Sequence, residues 1–319
     1  MRDEVEGAIT PPYLDATDEG TFVRRSVLQQ DELALSLPAD LLSWSFVKEP
    51  VLRPPSSTPW PRFLYALTFS PDSVRLVTGD HLGEVNVWST LDGSLERTLG
   101  NGTGTDARTV AYSPDDKYVV GSIDHEVRVW STHDNWNMQQ TLEVADLVRS
   151  TAFSPDSKLL AIAFVGGVEL WNTTGGFPWT LQQALPNATE TTNYAEAFAP
   201  DDPALATGSS DGTVKVYSST GGSRWTLQQT LNTPCHPLRS VAFSPDGTYL
   251  ASPSAGRAVM LWSTSNWTEA PLTFSGASEE DSCSKAVAFS RDGTLLASGG
   301  GTSTSVVGHD GDRKSVMSN

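Results

Sequence analysis

Between Leu238 and Ser263 the chain reads LRSVAFSPDGTYLASPSAGRAVMLWS, and its apolar positions come in three short bursts. Arg239-Ser240-Val241-Ala242-Phe243 has the period-two alternation of a half-buried strand. Ser244-Pro245-Asp246-Gly247 interrupts it: Pro presets the second position of a tight turn, and Gly is free to take positive φ. Tyr249-Leu250-Ala251-Ser252 is a second strand, and a Gly-bearing loop leads to a third, Ala258-Val259-Met260-Leu261-Trp262. Three strands joined by tight loops make an antiparallel meander. One such sheet cannot bury both of its faces, so further copies are expected.

An aromatic followed by a Pro-Asp turn, or a relic of one, recurs at Phe69, Tyr112, Phe153, Phe198, Phe243 and Phe289, at spacings of 43, 41, 45, 45 and 46 residues. An aromatic closing the third strand recurs in step at Trp88, Trp130, Trp171, Tyr217 and Trp262. Apolar residues stand one and three places before it: Val85/Val87, Val127/Val129, Val168/Leu170, Val214/Val216 and Val259/Leu261. That alternation suits a strand sandwiched between neighbouring sheets. Fourth, outer strands show in Trp179-Thr180-Leu181-Gln182-Gln183-Ala184-Leu185, echoed from Trp225 to Leu231 and again from Met138 to Leu142. Their Gln and Thr content fits exposed strands. The period and the strand count predict an all-β chain, a β-propeller of four-stranded antiparallel blades with six recognisable repeats. The units, such as Leu205-Ala206-Thr207-Gly208-Ser209-Ser210-Asp211-Gly212-Thr213-Val214-Lys215-Val216-Tyr217, resemble WD repeats from about Phe63 to Val307. The resemblance implies the fold far more than it implies a function.

Four regions follow from this pattern. Residues 1–20 are acidic, poor in large apolar side chains and expected to be disordered. Residues 21–62 form a docking or closing segment, in which Phe22–Leu28 and Leu41–Val47 are the apolar runs and five prolines between Pro50 and Pro61 mark an extended linker. Residues 63–307 are the propeller. Residues 308–319 are expected to be a disordered tail, because Gly308 stands where the sixth unit should carry its aromatic. In the resembling family an amino-terminal strand commonly completes the last blade. Completion of that kind, a decayed seventh blade in Thr21–Trp60 and an open arc are the three alternatives.

The net charge of −17 disfavours nucleic acid and anionic membrane as partners. The stretch MRDEVEGAIT has no apolar run and is not expected to act as a leader, and Cys235 and Cys283, about one repeat apart, are expected as free thiols in a reducing compartment, with a disulfide between them as the alternative. The chain is accordingly expected inside the cell, in the cytoplasm. Asp124 and Asp211 stand six residues before the closing aromatic, where the resembling family fixes a loop with an Asp; Asp80 is nearby but out of register. The turn aspartates Asp72, Asp115, Asp156, Asp201, Asp246 and Asp292 repeat once per blade and are expected to cap their own backbone rather than hold metal. The five histidines share no spacing that gathers three of them, and no phosphate loop or nucleophile elbow is present.

One register stands out. Four residues before each first-strand aromatic are Tyr65, Arg108, Arg149, Tyr194, Arg239 and Lys285. If the units superpose, these six form a collar at one mouth of the central channel. Arg offers bidentate hydrogen bonds to carboxylate or phosphate, and Tyr adds amphipathic contact area. The structural alternative has the cations neutralised by loop acids such as Asp124 or Asp211. The outer-strand tryptophans Trp136, Trp179, Trp225 and Trp267 are a second candidate surface, with packing over the blade edge as its structural alternative. The expected function is that of a non-catalytic propeller without cofactor, a scaffold or recognition module for protein partners carrying acidic or phosphorylated segments. A propeller-fold hydrolase or quinone-dependent oxidoreductase is the rival.

Overall fold

Six antiparallel sheets of four strands follow one another along the chain, each strand pairing with the next in sequence. The computed structural model describes residues 63–100, 105–186, 191–201, 203–219, 224–255, 258–274, 283–300, 303–310 and 313–318, and for the last strands it describes the backbone alone. All of these fall within one compact unit, Pro50–Asn319. Blade 1 is β1 (Leu64–Phe69), β2 (Arg75–Asp80), β3 (Val85–Ser89) and β4 (Leu95–Thr98). Blade 2 is β5 (Val110–Tyr112), β6 (Tyr118–Ile123), β7 (Glu126–Ser131) and β8 (Met138–Glu143). Blade 3 is β9 (Val148–Phe153), β10 (Leu159–Phe164), β11 (Gly167–Asn172) and β12 (Thr180–Pro186). Blade 4 is β13 (Asn193–Phe198), β14 (Ala204–Ser209), β15 (Thr213–Ser219) and β16 (Trp225–Asn232). Blade 5 is β17 (Ala242–Phe243), β18 (Tyr249–Pro253), β19 (Val259–Ser263) and β20 (Leu272–Phe274). Blade 6 is β21 (Ala286–Phe289), β22 (Leu295–Gly300), β23 (Ser303–Asp310) and β24 (Arg313–Ser318).

The last blade, with Gly308 in place of the closing aromatic, has all four strands. β24 is its fourth strand and pairs with β23 from Ser305↔Ser318 to Asp310↔Arg313. The tail expected to be unstructured, 308–319, carries that strand, because a polar outer strand needs ladder hydrogen bonds more than it needs apolar side chains. The first two regions expected from sequence, 1–20 and 21–62, lie outside the described residues.

Each seam between consecutive blades holds its own apolar cluster, and the third-strand alternation explains how. Val127 and Val129 of blade 2 face forward onto Phe153, Leu160 and Ile162 of blade 3. Trp130, one place on, faces backward onto Val77, Val85 and Val87 of blade 1. Blades 3 and 4 repeat the exchange through Leu170 and Tyr217, and blades 4 and 5 through Val216 and Trp262, while blades 5 and 6 meet through Leu261, Val287 and Leu296. Blade 1 alone lacks a described predecessor. Its Leu67 is 62% exposed, whereas Val110, Thr151, Val241 and Val287 at the same place in other blades are 6–7% exposed.

The turns between first and second strands are made by one device. The hydroxyl of Ser70 donates to Asp72 (2.5 Å), and the N–H of Arg75, the first residue of β2, donates back to it (2.9 Å). Ser113, Ser154, Ser244 and Ser290 do the same with Asp115, Asp156, Asp246 and Asp292. Ser70 and Ser244, followed by backbone N–H groups, hold the Asp72 and Asp246 carboxyls below their ordinary range, and the Ser290 hydroxyl with the Thr294 N–H and hydroxyl brings Asp292 to about 2. Blade 4 departs from the pattern, because Ala199 stands where the serine should be. Blades also meet too closely for a side chain at Gly79, where a Cβ would sit 2.5 Å from the Ala107 carbonyl oxygen.

Candidate functional site

The collar residues gather at one end of the first strands because those strands bulge there. In β1 the pairing jumps from Leu64↔Asp80 to Ala66↔Gly79, which leaves Tyr65 as the extra residue. In β9 it jumps from Val148↔Phe164 to Ser150↔Ala163, leaving Arg149. In β13 it jumps from Asn193↔Ser209 to Ala195↔Gly208, leaving Tyr194. A bulged residue has no ladder partner, and the local bend re-aims its side chain. Arg108, Arg239 and Lys285 lie just ahead of β5, β17 and β21.

Re-aimed in this way, residues about 43–45 positions apart meet. The Arg108 guanidinium lies 5.4 Å from the Tyr65 ring centroid. Tyr194 is flanked by Arg149 at 5.7 Å and Arg239 at 5.0 Å. Such contacts order guanidinium groups while leaving their N–H donors free. The cations differ in what else they touch. Arg108 is paired with Asp106 of its own loop. Among the described residues no carboxylate pairs with Arg149, Arg239 or Lys285, and the Nε of Arg149 is buried without an acceptor. Neither Asp124 nor Asp211 neutralises the collar. Asp124 faces His125 (3.2 Å), and Asp211 accepts from the Thr213 N–H (2.9 Å) and hydroxyl (2.7 Å). Lys285 is exposed at the corresponding place in blade 6.

The loop-fixing aspartates sort differently from the sequence register. Asp211 bonds its loop as that register suggests. Asp124 occupies a two-residue turn at φ 62°, where its carboxylate turns to His125 instead of to the loop backbone. Asp80, set aside as out of register, is 1% exposed and accepts from the N–H groups of Leu82 (2.9 Å) and Glu84 (3.0 Å). Its loop is longer, so the aspartate sits further back from Trp88.

The tryptophans do not form a side-wall patch. Trp179 and Trp225 are 2% and 4% exposed, and Trp136 and Trp267 pack partly buried against the seam clusters. The outer-strand glutamines are more than exposed filler. The Gln140 amide accepts from the Trp179 N–H (2.7 Å) and donates to its carbonyl (3.2 Å), and Gln183 treats Trp225 likewise (2.8 Å each). The repeated Trp-Thr-Leu-Gln-Gln string was the available signal.

Two further features escaped the sequence. Glu196 takes a place held by Val or Thr in blades 2, 3, 5 and 6 and is buried between blades 3 and 4. Burial raises its carboxyl well above the ordinary 4.5, with the Ala163 N–H offsetting only part of the shift, and neither oxygen has a well-formed hydrogen bond. Cys235 and Cys283, expected as free thiols, are joined in a disulfide with Cα atoms 5.7 Å apart. Each sits in the loop leading to a first strand, and neighbouring loops of that kind run side by side. The thiol argument for a reducing compartment falls with that bond. No helix among the described residues is long and apolar enough to cross a membrane.

Comparison with known proteins gives a consistent picture. The family described as "WD domain, G-beta repeat" matches residues 93–131, 194–218 and 225–263. The chain is 31% identical over 277 residues to WD repeat and SOCS box-containing protein 1 of Danio rerio, covering 75% of this chain and 56% of that protein. It is 33% identical over 117 residues to the protein of that name in Homo sapiens, covering 35% of this chain and 27% of the relative. Similarity to Small ribosomal subunit protein RACK1 of Drosophila melanogaster is 26% over 137 residues, covering 40% and 42%. The aligned part thus spans about half or less of these relatives' length.

Proposed function

The chain belongs to the WD-repeat family, and from that footing we propose that it is a non-catalytic scaffold holding acidic or phosphorylated segments of partner proteins at its collar. The observation that carries the reading is the set of three cations, Arg149, Arg239 and Lys285, that have no carboxylate partner among the described residues, on a chain of net charge −17. Guanidinium groups held against Tyr194 are already ordered, so less side-chain entropy is lost when an anion docks. Arg149 brings an Nε–H that has no acceptor, and a carboxylate or phosphate oxygen supplies one. Arg108, balanced by Asp106, contributes shape and ring contact more than net charge.

The acidic remainder of the surface repels polyanions such as nucleic acid, which leaves short anionic stretches as the fitting ligands. The relative named for a SOCS box joins WD repeats to a second module, which accords with an adaptor role for the repeats. The intracellular assignment rests on likeness to the WD-repeat relatives and no longer on the cysteines.

The test is affinity capture from a cell lysate with wild type and with Arg108→Ala/Arg149→Ala/Arg239→Ala, the folds matched by circular dichroism. The triple variant loses the captured partners, and phosphatase treatment of the lysate separates phosphorylated from merely acidic ligands. Partners retained equally by both proteins overturn the reading.

A further inference from the structure

The turn of blade 4 departs from the repeat in three ways that meet at one cavity. Ala199 replaces the capping serine, so Asp201 lacks the hydroxyl donor that its counterparts Asp72, Asp115, Asp156, Asp246 and Asp292 all have. In blades 1, 2, 3 and 5 the hydroxyl two residues after the closing aromatic donates to a turn carbonyl: Thr90 to Ser73, Thr132 to Asp116, Thr173 to Ser157 and Thr264 to Gly247. Ser219 holds that place in blade 4, is 4% exposed, and its hydroxyl has no partner. Between this turn and that of blade 3 lies a cavity of about 440 Å³, lined by Asp201 and Ser219 together with Phe198, Pro155, Pro200 and Trp225. Its volume falls within the range of about 300–1,000 Å³ typical of ligand sites. The cavity is at the opposite end of β9 and β13 from Arg149 and Tyr194, so it is separate from the collar.

We propose that this cavity binds a cationic side chain, arginine or lysine, presented by an extended segment of a partner protein. The Asp201 carboxylate receives the guanidinium or ammonium head. Phe198 and the two prolines cover its apolar stem, and the Ser219 hydroxyl bonds the carbonyl of the same segment. Charge favours this occupant over an anion. Lys158 on the other lip is already tied to Asp156 at 3.0 Å, which leaves Asp201 uncompensated among the described residues. The collar and this cavity would then read opposite charges at opposite ends of the first strands.

The test is a titration of the isotope-labelled full chain with N-acetyl-arginine amide, with N-acetyl-leucine amide as the uncharged control. The indole N–H of Trp225, assigned through Trp225→Phe, is the reporter in the cavity wall. It shifts with the arginine compound and not with the leucine one. Asp201→Asn weakens the binding at least about tenfold, since a charged hydrogen bond is lost. Ser219→Ala removes a hydroxyl that bonds nothing in the fold, so the remaining indole signals hold their positions while affinity drops. An unmoved Trp225 signal at saturating arginine compound overturns the proposal, and so does a shift that survives Asp201→Asn. Collar variants leave the titration unchanged, so failure here and failure of the collar reading are told apart.

Discussion

The seam between blades 2 and 3 and the seam between blades 5 and 6 meet the same packing requirement by different means. The first gathers twelve buried residues, among them Leu142, Leu160, Ile162 and Trp179. It adds a hydroxyl pair between Thr109 and Thr151 (2.9 Å) and the Gln140 amide on the Trp179 backbone. Among the described side chains the second gathers six, Ala251, Val259, Leu261, Phe274, Val287 and Leu296, and β17 gives only two residues to its sheet. The Cys235–Cys283 disulfide links the loops that enter blades 5 and 6, and both cysteines pack in the neighbouring cluster of blades 4 and 5. Buried methylenes contribute about 0.8 kcal/mol each, so the described part of the second seam makes the smaller apolar contribution. A cross-link restricts the unfolded chain instead of adding contacts, and here it ties the entry loop of blade 6 to that of blade 5.

The largest effect comes from attacking the rich seam. Leu160→Ala, at a fully buried position, is expected to cost about 3–5 kcal/mol, and Val287→Ala in the thin seam about 1–2 kcal/mol. Urea unfolding curves measure both, and equal losses break the comparison. Cys283→Ser comes next, at about 2–4 kcal/mol. Its signature is local: amide exchange in β21 and β22 speeds up while β9 and β10 keep their protection. A uniform loss of protection would mean that the disulfide does not brace the thin seam in particular.

The smallest effect is a pH dependence in the seam between blades 3 and 4. Because burial raises the Glu196 carboxyl above 4.5, the folded state keeps its proton at pH values where the unfolded state has lost it. Stability therefore falls as pH rises from about 4.5 through the raised folded value and then levels off. Glu196→Gln removes this slope and is more stable than wild type at neutral pH. Denaturant midpoints of the two proteins across pH 4 to 8 give the difference directly. The turn aspartates, whose carboxyls are lowered, act in the opposite sense, losing their contribution as pH falls, and they cancel in that difference. A difference that does not change with pH would refute a buried, proton-holding Glu196.

Much of the architecture was legible because it repeats. Val at one and three places before Trp130 faces one neighbour and the aromatic faces the other, and a period-two pattern cannot do otherwise in a strand sandwiched between blades. The Ser-Pro-Asp turns were equally plain, since Ser244 and Asp246 close their bonds within five residues. The collar register was visible too, as six residues at one offset from an aromatic. Its contacts were not, because they depend on bulges, and a bulge at Tyr65, Arg149 or Tyr194 leaves no mark in a strand pattern. β24 was missed because a polar outer strand has the composition of a tail.

The sequence alone determined the blades, their first three strands and most of their turns, all of which follow from interactions between near neighbours repeated along the chain. The tertiary structure decided which side chains meet across a seam. Arg149 reaches Tyr194, Cys235 reaches Cys283, and Glu196 loses its water against Ala163, each through a partner more than 30 residues away. Those distances are set by how one blade stacks on the next and by where a first strand bends. Neither quantity is carried by any single repeat.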